Sequence, residues 1–352
     1  MAVALATVTA EPANAYPQET NNCNDRTLHW EFQTNSLWTA GGVDRRTWVR
    51  AAINTLNDEK SYDGSTLVTV TEDGGIDVQI RDEPASSYGS SECSGGASFW
   101  VNSNYSSSKF YYKVGRHEMF HLAGAEHGGD EDSMNSDNPP TMSTCISWTT
   151  FRTTNSLDQD SAAYENWLHN GASGRQLHAN MGFERNTTYW GKVNGTWSVV
   201  TTGGVSGPKN VAFFASGSSY ASSYIYQTIR LWTGDDNESY RSRAYVREPI
   251  SSYSTLAQSK IFRRNMTESG DNGCSYPDGL QNPNSWSIGG YVELAKSSVK
   301  SVTTTWSDVT SSYVNPTNTD GLQLQIRIYG KATPSGGGSG SIRIDNARGG
   351  GT

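Results

Sequence analysis

Three of the six histidines in this chain fall in one stretch, Gly115-Arg116-His117-Glu118-Met119-Phe120-His121-Leu122-Ala123-Gly124-Ala125-Glu126-His127. His117 and His121 are four residues apart, a spacing that puts both imidazoles on one helix face, one turn apart. Glu118 lies about 100° around that helix, within reach of a water on a metal held there. Gly124 suits a C-cap, because glycine takes the left-handed conformation without Cβ strain. The chain can then turn and return His127 as a third nitrogen ligand. Three neutral imidazoles and one open position describe a catalytic zinc site, whereas structural zinc is closed by four protein ligands. The expected chemistry is hydrolysis: zinc brings the pKa of bound water to about 7, and Glu118 takes the proton as that water attacks a carbonyl. The alternative is a helix with solvent-facing histidines, against which the placed glycine and third histidine weigh.

The string His-Glu-x-x-His-x-x-Gly-x-x-His resembles the zinc signature of the metzincin metallopeptidases, and every fixed position is filled. The resemblance implies that His117, His121 and His127 bind zinc, that Glu118 is the general base, and that the substrate is a protein or peptide. It also implies a methionine turn beneath the metal. Met134 and Met142 compete for that place; Met142, between Pro139-Pro140 and Cys145, is preferred. Some branches add a tyrosine ligand two residues beyond the methionine, but Ser143 and Thr144 follow here, leaving three histidines and water. Gly128, after the third histidine, selects no branch. Asp130-Glu131-Asp132 lacks the alternation of an EF-hand loop and reads as a solvated acidic loop.

With 352 residues the chain can hold two domains, each with its own core. Only 18% of residues are charged while glycine, serine, threonine and aromatics abound, the profile of a secreted, largely β protein. The net charge of -8 and the lack of a basic run argue against nucleic acid as a partner. Residues 1–15 resemble a truncated secretory signal, with apolar Met1–Val8 leading to Ala13-Asn14-Ala15, although no basic residue precedes Arg26. No apolar run is long enough to span a bilayer. Cys23, Cys93, Cys145 and Cys274 show no Cys-x-x-Cys spacing, so they read as disulfide partners; Cys93 with Cys145 is preferred because both flank the histidine stretch. A monomer is expected.

Residues 16–170 form the first expected domain. Arg26–Gln33 alternates like a half-buried strand, with His29 as a strand residue rather than a ligand. Asp44–Asp58 has helical periodicity. Thr66–Thr71 and Ile76–Arg81 are β-rich and joined by Asp73-Gly74-Gly75, a hairpin-like turn. Ala97–Asn102 is a further strand before the histidine helix, which begins near Lys109. This order predicts an α/β or α+β unit, a twisted mixed sheet packed on two helices. The metzincin resemblance makes Ala97–Asn102 the sheet edge along which substrate lies, and Ser156–Leu168 the closing helix.

After a small, polar linker at 171–179, residues 180–352 read as many short strands without helical period, an all-β antiparallel sandwich. Asn180–Glu184 and Ile342–Asn346 resemble the framing segments of galactose-binding-like jelly rolls, a form shared by many carbohydrate-binding modules. That resemblance implies a structural calcium held by Glu184 and Asp345; surface carboxylates beside strands are the alternative. Trp190, Trp197, Trp232, Trp286 and Trp306 are candidates for stacking on sugar rings, although core roles are commoner for such residues. The combined expectation is a secreted zinc endopeptidase with an accessory sandwich that tethers it to glycan or cell wall. The competing one is a non-catalytic glycan-binding adhesin with a degenerate peptidase-like domain.

Overall fold

The computed structural model describes residues 27–33, 39–40, 43–58, 60, 64–66, 68–74, 78–82, 89–92, 97–101, 108–123, 180–230, 239–268, 286–288, 290–316, 322–337 and 340–351. The first unit runs β1 (Thr27–Phe32), β2 (Thr39–Ala40), β3 (Val43–Asp44), α1 (Arg46–Asn54), a 3-10 turn at Thr55–Asp58, β4 (Thr69–Glu72), β5 (Val78–Asp82), β6 (Gly89–Glu92), β7 (Ala97–Val101) and α2 (Ser108–Leu122). Five strands form one mixed sheet in the order β4-β1-β5-β7-β6, and β2 pairs with β3. β1 is parallel to β4 and β5, β5 is parallel to β7, and β6 is antiparallel to β7.

Alternation along these strands fills one face with apolar side chains: Leu28, Trp30, Val70, Val78 and Ile80 are all buried. Val49, Ala52 and Ile53 supply the buried side of α1. The 3-10 turn after α1 is tied to strand β4 by the Asn57 side chain, whose amide nitrogen donates to the Val70 carbonyl at 2.9 Å and whose oxygen accepts the Val70 N–H at 2.8 Å. That one amide does for β4 what a neighbouring strand would do.

Two expectations are corrected here. The turn at Asp73-Gly74-Gly75 does not fold β4 and β5 into a hairpin, because β1 lies between them and is parallel to both. Trp30 is in register with Glu72 on one side and with Val78 on the other. Both runs then place their apolar residues on the face of Leu28 and Trp30. Nor is Ala97–Asn102 the sheet edge: β7 (Ala97–Val101) sits between β5 and β6, and among the described residues the outermost strand on that side is the serine-rich Gly89–Glu92.

The second unit contains β8 (Gly191–Val193), β9 (Gly195–Val200), β10 (Asn210–Ala215), β11 (Tyr224–Arg230), β12 (Tyr240–Arg247), β13 (Tyr253–Glu268), β14 (Trp286–Ile288), β15 (Val292–Lys296), β16 (Lys300–Val302), β17 (Ser307–Thr310), β18 (Leu322–Pro334) and β19 (Ser341–Gly351). One sheet has the order β17-β12-β19-β10-β9 and the other β14-β13-β18-β11-β8, with β15 and β16 also on β13. Every pairing in both sheets is antiparallel, the expected jelly-roll type of sandwich.

Inward residues of both sheets meet in one core that includes Phe183, Phe213, Ile225, Ile326 and Ile344, all fully buried. Burying each such side chain contributes about 1.5–3 kcal/mol. β12 shows the alternation most plainly: Tyr240, Ser242, Ala244 and Val246 point in, while Arg241, Arg243, Tyr245 and Arg247 point out. Among the described residues no helix is long and apolar enough to cross a membrane.

Candidate functional site

The histidine helix is positioned from its N-terminal half. Arg45 Nη1 donates to the Tyr111 hydroxyl at 2.9 Å, and the Trp48 ring lies 5.6 Å from that of Tyr111. Further along, Gly115 lets α1 approach closely: a Cβ there would sit 3.0 Å from Val49 Cγ1 and 3.3 Å from Val49 Cα. The next turn carries His117, Glu118 and His121, each less than one-tenth exposed.

His117 Nε2 and His121 Nε2 are 3.2 Å apart, with the rings near perpendicular at 87°. Two metal–nitrogen bonds of about 2.0–2.1 Å at a tetrahedral angle would set the nitrogens roughly 3.3–3.4 Å apart. The pair therefore fits two corners of a tetrahedral zinc site. α2 ends at Leu122, followed by a turn in which the Ala123 N–H reaches the Met119 carbonyl at 3.1 Å. Among the described residues no third histidine, cysteine or carboxylate joins the pair. His127, Gly124, Met142 and all four cysteines, including Cys93 and Cys145, lie outside the described residues, as do the expected signal, closing helix and linker.

A second cluster surrounds Asp345. The Asn180 side chain orders the turn that precedes it in space: its amide nitrogen donates to the carbonyls of Asn186 and Thr188 at 3.0 Å, and its oxygen accepts the Arg185 N–H at 2.9 Å. Glu184 is thereby held with Oε1 accepting the Lys209 N–H at 3.0 Å. Asp345 is fully buried and accepts the N–H groups of Val205 at 2.5 Å and Asn346 at 2.7 Å. Burial, followed by the nearby Glu184 carboxylate, pushes the Asp345 carboxyl up to about 7 despite those hydrogen bonds.

The loop over Asp345 tolerates no side chain at Gly204, where a Cβ would come 2.3 Å from the Gly207 carbonyl oxygen and 2.9 Å from Asp345 Oδ2. Beside it, the buried Asn346 Oδ1 has no hydrogen-bond partner among the described residues. Two carboxylates and an unsatisfied amide oxygen are hard oxygen donors of the kind calcium takes.

A third feature was not singled out from sequence. The outer face of the β8-β11-β18-β13 sheet carries Tyr224, Tyr226, Phe262, Tyr291 and Tyr329 around Arg327. The Tyr224 ring lies 4.7 Å from Tyr329 and 6.0 Å from Tyr226. The Arg327 guanidinium stands over Phe262 at 3.8 Å, Tyr224 at 4.9 Å and Tyr291 at 5.0 Å. Gly191 on the adjacent strand makes room for the Tyr226 ring, since a Cβ would come 2.4 Å from its Cζ. Burial raises the pKa of the Tyr224 and Tyr329 phenols, which stay protonated donors at neutral pH. The legible signal was Tyr224-Ile225-Tyr226, an aromatic at every second position opposite Arg327 and Tyr329.

The tryptophans lie elsewhere. Trp190 is buried against Phe183 at 5.2 Å. Trp197 packs on the core with Lys192 over its ring, and Trp306 sits beneath Arg247 at 4.8 Å. Trp232 and the side chain of Trp286 lie outside the described residues.

No described protein family matches the sequence, and no curated protein does. Solved structures resemble about half of it. One comprises the CBM22 and GH10 modules of the Clostridium thermocellum endo-1,4-beta-D-xylanase 10B complexed with xylohexaose, at 14% identity and TM-score 0.30, covering 48% of this chain and 27% of that one. The TmCBM61 module in complex with beta-1,4-galactotriose matches at 14% identity and TM-score 0.29, over 50% of this chain and 97% of that one. A Stig cyclase from Fischerella sp. TAU matches at 13% identity and TM-score 0.30, over 49% of this chain and 94% of its own. The chain is thus similar to carbohydrate-binding modules and to an enzyme alike, and its function has to be argued from its own residues.

Proposed function

We propose that the chain is a secreted zinc-dependent endopeptidase whose C-terminal sandwich tethers it to glycan. The observation that carries this reading is the 3.2 Å separation of His117 Nε2 and His121 Nε2 on the buried face that also bears Glu118. In this proposal His127 would complete the ligand set and Met142 would serve as the methionine beneath it. When bound, zinc supplies a Lewis acid that acidifies water and polarises the scissile carbonyl. The Glu118 carboxylate takes the proton of the attacking water and delivers it to the leaving amine.

Edge strand β6 is antiparallel to β7, and among the described residues it pairs with no other strand. We propose that this edge offers its N–H and C=O groups to an extended peptide, with α2 packed beside it. In this reading the peptide lies along Gly89–Glu92, not along Ala97–Asn102. Calcium at Glu184 and Asp345 is a structural partner of the sandwich, and disulfide formation by Cys93 and Cys145 belongs to the same secreted reading.

The tyrosine face favours a second reading, a glycan-binding protein without catalysis, because its clustered, mutually tilted phenols can contact sugar without a metal. Sugar rings stack on such faces while phenol hydroxyls hydrogen-bond their alcohols. Zinc analysis and peptide hydrolysis by the full chain separate the two. The endopeptidase requires about one zinc per chain and chelator-sensitive cleavage; an inert, metal-free protein that is retained on polysaccharide supports the second reading.

A further inference from the structure

The other sheet of the sandwich presents a different surface. Outward positions of β12 are Arg241, Arg243, Tyr245 and Arg247. On the adjacent β19, Arg343 is in register with Arg247 and Arg348 with Arg243. Cationic side chains thus concentrate on one face of a chain whose net charge is -8. Asp308 is the carboxylate paired to this row among the described residues, at 3.1 Å from Arg243. Asp345 is covered by the loop that carries Val205.

These guanidiniums stand over aromatic rings: Arg241 over Tyr313 at 4.7 Å, Arg243 over Tyr245 at 4.9 Å, and Arg247 over Trp306 at 4.8 Å. Trp306 is itself anchored by its Nε1 donating to the Gly203 carbonyl at 3.2 Å. Arg243 Nε, Arg247 Nε, and both Nε and Nη1 of Arg343 are buried beneath this face without a hydrogen-bond partner among the described residues, so the contacts to a ligand fall to the other guanidinium nitrogens of the row. Arg247 and Arg343 abut, an arrangement that costs energy until an anion lies between them.

We propose that this face, formed by Arg241, Arg243, Arg247 and Arg343, binds a carboxylate-bearing polysaccharide, a polyuronate. A planar guanidinium fork matches a carboxylate bidentately, and alternate strand positions repeat every ~7 Å, offering serial contacts to a polymer with one carboxylate per sugar. Single-stranded nucleic acid is disfavoured because it needs open aromatic platforms for its bases, and here three rings are already covered by guanidiniums. An acidic peptide is disfavoured because ordering its backbone costs about 1–2 kcal/mol per residue, a cost that a stiff polysaccharide largely escapes. The surface is on the opposite sheet from the tyrosine face and stands whether or not that face takes neutral sugar or the first unit cleaves peptides.

The test is affinity electrophoresis of the full chain through gels containing polygalacturonate, neutral galactan, poly-glutamate or single-stranded DNA, at low and at physiological salt. Polygalacturonate should retard the native chain, less so as salt rises. Arg241→Ala/Arg247→Ala should weaken that retardation at least about tenfold, with its melting temperature unchanged and galactan retardation as in the native chain. Arg247→Lys, which keeps charge but loses the fork, should fall between. No retardation at low salt, equal retardation of the double variant, or stronger binding of DNA or poly-glutamate than of polygalacturonate would overturn the proposal.

Discussion

Replacing Gly115 tests how the histidine helix is positioned, because two opposing effects have comparable size. Gly115→Ala removes a flexible residue from the interior of α2, a gain of about 0.8–1.0 kcal/mol from helix propensity. The new Cβ would lie 3.0 Å from Val49 Cγ1, 3.3 Å from Val49 Cα and 3.4 Å from the Val49 carbonyl oxygen. Overpacking of that kind costs about 1–3 kcal/mol, and two of the three contacts are backbone atoms that cannot rotate away. The clash should win, leaving a net loss of roughly 0–2 kcal/mol. Val49→Ala alone removes fully buried carbons and should cost about 2–3 kcal/mol. In the double variant Cγ1 is gone, so the combined loss should be smaller than the sum by roughly 0.5–2 kcal/mol. Calorimetry of the first unit's transition measures all four corners of this cycle. Zinc affinity should fall in Gly115→Ala, since His117 is two residues away, and recover partly in the double variant. Strict additivity, or a Gly115→Ala protein that gains the full propensity term, would refute the close α1–α2 contact.

Two other consequences follow from the sandwich. The Asp345 carboxyl is raised from 3.8 to about 7 in the folded state, so the folded form binds the proton more tightly than the unfolded one. With divalent ions chelated, this group's contribution to stability is therefore greatest below about pH 4 and is lost as pH rises through about 7, up to roughly 4 kcal/mol in all. Calcium should offset that loss; a pH dependence of the sandwich's melting temperature identical in Asp345→Asn, with or without calcium, would count against both statements. On the tyrosine face, Tyr226→Ala should weaken retention on a neutral polysaccharide about five- to tenfold while leaving melting nearly unchanged, because the ring lies outside the core. Isothermal titration reads this directly, and unchanged affinity would take glycan off that face.

The histidine motif was legible because its information is local: residues four apart on a helix share a face in any fold. Strands such as β18 were legible for a similar reason, with Leu324, Ile326 and Ile328 alternating with Gln325 and Arg327, and β10 as a short run of apolar residues at 211–215. β12 and β13 were missed because the middle of each inward row is small or polar, with Ser242, Ala244, Thr255, Ala257 and Ser259 all buried between larger residues such as Tyr240, Val246 and Ile261. Such strands show no unbroken apolar stripe. The serine-rich β6 was missed for the same reason, and with it the outermost strand on that side among the described residues. Strand order depends on pairing partners far apart in the chain, which is why Asp73-Gly74-Gly75 reads as a hairpin turn although β1 lies between β4 and β5. The meeting of Glu184 with Asp345 is equally non-local and was reached only through the resemblance of the two framing segments. The arginine row was hidden because alternate residues on two strands never make a basic run.

The central claim is that His117 and His121 aim at a zinc ion whose chemistry Glu118 completes. Paired measurement of bound zinc and peptide hydrolysis, on the native chain and on Glu118→Ala, tests it most directly. The account predicts about one zinc per chain in both proteins, with turnover lower by at least about a hundredfold in the variant. A native chain that cleaves peptides without zinc, or a Glu118→Ala chain that cleaves them as fast as the native one, would contradict it.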